Sequence, residues 1–80
     1  MMCNCWIVTY EDYHGEGDKY VFYKKEDAEK CIKEDFENTL HDLKKDGYDP
    51  YTIDGMYRQA IFVPNSDINY EWNLELSTIR

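Results

Sequence analysis

Three cysteines, two histidines and one acidic loop are the side chains here that could do chemistry, and their spacing limits what they can support. Cys3 and Cys5 lie close together near the N-terminus, Cys31 stands apart, and His14 and His41 fall in different segments. A structural zinc site needs separated pairs of ligands at short spacings, and those pairs are absent. The cysteines therefore read as small hydrophobes. Three thiols cannot all pair within one chain, and Cys3 and Cys5 are too close along a strand for normal disulfide geometry. Reduced thiols are expected, with Cys3 an exposed one, which agrees with a cytoplasmic protein.

The loop Glu11, Asp12, Tyr13, His14, Gly15, Glu16, Gly17, Asp18 offers oxygen donors but not the acid spacing, or the distal glutamate, of a calcium loop. His14 beside these carboxylates makes an acid/base pair conceivable. No nucleophile motif, phosphate-binding glycine loop or Gly-x-Ser-x-Gly elbow accompanies it. The chain is therefore read as a non-enzyme, with no catalytic, metal-ligating or cofactor-binding residue and no cofactor.

Charge is more informative. Seventeen carboxylates against nine lysines and arginines give a net charge of −8, which opposes direct binding to nucleic-acid phosphates or an anionic membrane. A basic protein surface is the natural complement. Residues 1–18 carry Glu11, Asp12, Glu16 and Asp18 with no lysine or arginine, whereas residues 19–46 are close to neutral. Several charges in that second stretch stand four apart, Glu26 with Lys30, Glu29 with Lys33 and, when the histidine is protonated, Glu37 with His41, as on a solvated helix face. Asp35, Asp42 and Asp46 have no base four residues away. The candidate contact set is Glu11, Asp12, Glu16, Asp18, Asp35 and Asp42, with Tyr10 and Tyr13 adding apolar area.

The element that must position these groups is a helix from Lys25 to Asp46. Ala28, Ile32, Phe36, Thr39, Leu40 and Leu43 recur at three- and four-residue steps and share one stripe, with Cys31 at its margin. Glu26 and Asp27 in the first turn and Lys44 and Lys45 in the last suit the helix dipole, and Gly47 is a natural left-handed stop. Before the helix, Cys5 to Tyr10 and Lys19 to Tyr23 read as strands of a hairpin. After it, Gly47 to Gly55 reads as a connecting loop, Met56 to Val63 as a third strand and Pro64 to Asp67 as a turn. Ile68 to Leu76 alternates most cleanly, with Ile68, Tyr70, Trp72, Leu74 and Leu76 facing one way and Asn69, Glu71, Asn73 and Glu75 the other.

The expected fold is a single α+β domain over residues 1–80, in the order ββαββ: a four-stranded, mainly antiparallel sheet with one long helix on one face. No apolar run is long enough for a membrane span, and the N-terminus lacks a signal-peptide pattern. The first three strands are apolar or aromatic on both alternations, so the face without the helix is expected to be an interaction patch. A second copy is one partner that would cover it, giving a homodimer.

The hairpin WIVTYEDYHGEGDKYVFY, the helix start KKEDAEKC and the closing strand DINYEWNLEL together resemble the small acidic proteins carried by phages and mobile elements, which include anti-CRISPR inhibitors and other DNA mimics. The resemblance implies a non-enzymatic inhibitor of a nucleic-acid-handling complex such as a CRISPR effector, acting by binding its basic surface. The alternative is a self-associating accessory or structural protein that dimerises through the open sheet face, its acidity serving solubility only.

Overall fold

The computed structural model describes residues 3–79, with side chains described for residues 4–78. The expectation for the Cys3 thiol thus lies outside the described side chains. Strand β1 (Cys3–Asp12) turns back into β2 (Gly17–Phe22), and helix α1 (Lys25–Lys45) follows. Three more strands complete the chain: β3 (Tyr51–Asp54), β4 (Arg58–Phe62) and β5 (Asn69–Ile79). All five form one antiparallel sheet in the order β2-β1-β5-β4-β3.

This corrects the four-stranded ββαββ expectation, although the class remains α+β. The extra strand is β3, inside the segment read as a connecting loop. Tyr51, Thr52 and Ile53 favour extended backbone, but every residue of β3 is exposed, so no burial alternation marks the strand. Its partner is what makes it a strand. Tyr51 pairs with Phe62 and Asp54 with Gln59, and the Gly55 N–H donates to the Arg58 carbonyl at 2.9 Å to close the hairpin.

Helix α1 has the expected ends. At its C-terminus Gly47 adopts φ 93°, its N–H donates to the Lys44 carbonyl, and the Tyr48 N–H reaches back to the Leu43 carbonyl, both at 3.1 Å. That pair of bonds satisfies carbonyls that would otherwise lack partners. The expected glutamate-to-lysine pairs are not the ones formed. Lys25 meets Glu29 and Lys30 meets Glu34, each at 4.0 Å and well exposed, so each contributes little. Among the described residues, Lys33 and Glu37 are left without a salt bridge.

The helix stripe covers the middle of the sheet. Ala28, Ile32 and Leu43 are buried against Val8, Ile61, Trp72 and Leu74, and Phe36 and Leu40 pack at the margin. Val8, Ile61 and Trp72 are fully buried, each worth roughly 1.5–3 kcal/mol of apolar transfer, a small total for a domain of this size. A helix of this length spans about 30 Å, enough to cross four strands, and it packs on β1, β2, β4 and β5 but not on β3.

The opposite face has no layer over it among the described elements. It is less greasy than the sequence implied. Val21, Tyr51 and Ile53 are exposed there, but the central strand β5 runs Asn69, Glu71, Asn73 and Glu75 down its middle, and Arg58 is ion-paired with Glu71. Cys5 and Ala60 also lie on this side and are buried among their neighbours.

The β1–β2 turn depends on a close approach. A Cβ on Gly17 would stand 2.0 Å from the Tyr10 carbonyl oxygen, whereas Gly15, at φ 77°, has open space around it. Gly15→Ala is expected to cost about 1 kcal/mol for its left-handed backbone alone. Gly17→Ala should cost about 2–3 kcal/mol, because backbone must move. Urea unfolding of the two variants measures this, and equal midpoints would show that the Gly17 approach is not tight.

Candidate interaction surface at the hairpin end of the helix

The side chains selected from the sequence do not all come together. In β1, successive residues alternate between the two faces, so Tyr10 and Asp12 lie on the helix side and Glu11 on the open side. Glu11 faces Glu71 across the ladder, a like-charge pair on the wrong side of the sheet for the expected contact. Glu11 therefore drops out of the candidate set. Glu16 is exposed in the turn, and Asp42 lies two helical turns beyond Asp35.

Asp12 has a structural duty as well. Its carboxylate accepts the N–H of His14 at 2.9 Å and of Glu16 at 3.1 Å, and its own N–H donates to the Glu16 carbonyl at 2.8 Å. An aspartate holding two backbone donors fixes a turn, which explains its position at the end of β1. Asp18 is the register partner of Tyr10 and accepts the Tyr20 hydroxyl at 3.2 Å.

Around these carboxylates the rings form a continuous series. Tyr10 stacks on Tyr70 at 6.5 Å and leans on Trp72 at 5.3 Å, and Phe36 meets Trp72 edge-on at 5.8 Å. Tyr13 meets Tyr70 edge-on at 5.8 Å and lies 4.1 Å from His14. Such contacts add about 0.5–1.5 kcal/mol each beyond area burial and hold the ring planes in place. The series starts in the core at Trp72 and ends in solvent at Tyr13, which is 39% exposed.

Electrostatics tie the helix to this end. Burial raises the Tyr10 phenol to about 12, helped by Asp12, Tyr70, Asp35 and Asp18. Asp18 raises Tyr20, chiefly by its charge, with a smaller contribution from Asp35. Burial, then Tyr13 and Asp12, raise Tyr70, and burial, then Asp35, raise the Cys31 thiol. Asp35 is thus close enough to act on strand residues.

The surface defined by the structure is Asp12, Asp18 and Asp35 with Tyr10, Tyr13, Tyr20 and Tyr70. Tyr20 and Tyr70 escaped the sequence reading because both were assigned to strand faces, Tyr70 as core. Their membership follows from register, Val8 opposite Tyr20 and Asp12 opposite Tyr70. Chemically, this is a row of aromatic faces and phenols rimmed by carboxylates, suited to guanidinium and ammonium groups. Among the described residues no three His, Cys, Asp or Glu side chains converge as metal ligands, and no helix is long and apolar enough to cross a membrane. Comparison with protein-family models, curated proteins and solved structures gives no match for this chain.

The folded state holds the Tyr10 proton beyond the ordinary tyrosine value of 10.0. Its contribution to stability is intact below about pH 10 and is lost as pH rises through about 12. Ultraviolet titration of tyrosinate should therefore lose one tyrosine's worth of its latest amplitude in Tyr10→Phe, whose stability should also fall less steeply above pH 10. Loss of that amplitude from the ordinary phase near 10 would rule out the assignment.

Proposed function

We propose that this chain is a non-enzymatic binding protein of the phage-inhibitor kind, which blocks a nucleic-acid-handling complex by docking its acidic, tyrosine-lined end onto a basic protein surface. The observation that carries the reading is the convergence of Asp12 and Asp18, by register and hydrogen bond, on Tyr10, Tyr13, Tyr20 and Tyr70, with Asp35 of the helix raising Tyr10 and Tyr20 from above. Carboxylates held on a rigid frame can stand where phosphates would, and lysines or arginines of the partner then exchange one set of anions for another. The tyrosines add what phosphates lack. A guanidinium on an aromatic face gains about 0.5–2 kcal/mol, more when water is excluded, and tyrosine is a frequent anchor of protein interfaces.

A second reading, self-association through the open sheet face, is favoured by exposed Val21, Tyr51 and Ile53. The polar line along β5 divides that face into two apolar strips. Stacking two copies over the whole face would bring Glu71 and Glu75 against like charges, so a homodimer of this kind would use one strip. Both readings permit a single protein to do both.

Affinity capture from host extract, with mass spectrometry of what is retained, tests the main reading. The wild-type protein should retain a basic, nucleic-acid-handling partner. Asp18→Lys with Asp35→Lys should lose it and should flatten the salt dependence of whatever binding remains. Glu11→Lys, on the opposite face, should keep it. Retention by the double variant, or loss through Glu11→Lys alone, would refute the proposed surface.

A further inference from the structure

Edge strand β3 is the one strand of the sheet that the helix does not reach. Between the two lies a groove of about 550 Å³, floored by Ile32, Phe36 and Leu74, and no described element lies beyond β3. Tyr48, Tyr51, Ile53, Met56 and Tyr57, half of the large apolar residues exposed among those described, fall within residues 48–57 around it. The only charges in that stretch are Asp49 and Asp54.

The backbone of β3 is half used. At the turn the Gly55 N–H donates to the Arg58 carbonyl, and antiparallel bonds alternate from there, so Ile53 and Tyr51 turn their N–H and C=O groups to β4. Those of Thr52 and Asp54 point outward. Sheets blunt such an edge with lysine, proline, a bulge or a cover. The opposite edge has safeguards of this kind, since β2 carries Lys19 in its middle and begins at Gly17. Within Tyr51–Asp54 there is none.

We propose that β3 pairs with the β3 of a second copy, antiparallel about a two-fold axis through Thr52, joining the two sheets edge to edge. Thr52 then faces the partner's Thr52 and exchanges both backbone bonds with it. Each Asp54 N–H donates to the partner's Pro50 carbonyl, and Pro50, with no N–H of its own, ends the ladder.

The strand is complementary to itself in this register. Tyr51 falls opposite the partner's Ile53 on the open face, an aromatic to β-branched pair in the close, non-hydrogen-bonded position, and the threonines match on the helix face. The Tyr51 ring is already held, stacked 5.3 Å from Phe62. The two Asp54 side chains stand at opposite ends of the ladder. Centring the pair on Ile53 would instead set Tyr51 against a glycine and bring the aspartates onto neighbouring diagonal positions. Pairing β3 with the Lys19-guarded β2 of another copy would leave an edge free at each end and grow a filament.

This contact joins copies in the plane of the sheet, so it depends neither on the tyrosine-lined surface nor on stacking of open faces. So short a ladder buries little area, and the dimer is reversible.

Sedimentation across a dilution series, with amide hydrogen exchange on the same samples, tests it. Mass should rise with concentration from one copy towards two and stop there. Over that range exchange at Thr52 and Asp54 should slow about tenfold or more, while Tyr51 and Ile53 change little. Thr52→Pro removes only an outward N–H, leaves the bonds to β4 intact, and should weaken dimerisation about tenfold or more. Lys19→Pro, which removes an outward N–H at the other edge, should leave dimerisation unchanged. Should either variant fail to fold, exchange in the wild-type protein decides alone. A strict monomer at the highest concentration, mass growing past two copies, or a folded Thr52→Pro that dimerises like wild type would each overturn the proposal. So would a dimer in which Thr52 and Asp54 still exchange fast, and that result would place the contact on another surface, such as the open face.

Discussion

The first and last strands of the chain pair along ten residues, from Cys3 with Ile79 to Asp12 with Tyr70, and this ladder governs the rest of the molecule. It brings Val8, Leu74 and Trp72 side by side beneath the helix, where they form the centre of the core. It also commits both long strands to the interior of the sheet, so each must take its own hairpin partner on the outside, β2 beside β1 and β4 beside β5. Partners this far apart in sequence carry a closure entropy that only the packed core can offset. The core must form together with the ladder.

One consequence is the path of the helix. It leaves from β2 at one edge and delivers the chain to β3 at the other, so it has to cross the sheet, and it covers the middle better than the ends. At the hairpin end the aromatic rings run out from under it into solvent, and beside β3 it leaves a groove. The tyrosine-lined end and this groove are therefore margins of the same core. They differ in chemistry because different side chains fall there: phenols and carboxylates at one margin, an apolar floor of Ile32, Phe36 and Leu74 at the other.

The two faces of the sheet also divide labour. Apolar residues of β5 point to the helix, and its asparagines and glutamates point away. That alternation keeps the open face from being a continuous apolar patch and limits unwanted stacking between copies. Val21, Tyr51 and Ile53 remain as separate apolar strips on either side of a polar line.

What the sequence determined by itself was local in its physics. The helix, its stripe and its glycine stop, the first hairpin and the alternation of the last strand all depend on neighbours within a few residues, and all stand in the structure. Acidity was equally plain, together with the tyrosines beside it. Only the tertiary structure decided that Tyr51–Asp54 is a strand, since an exposed edge strand is defined by its hydrogen-bond partner and not by any burial pattern of its own. The same holds for the surface. Glu11 leaves it and Tyr20 and Tyr70 join it because a side chain's face is set by register with distant strands, and a difference of one residue moves a side chain to the other side of the sheet.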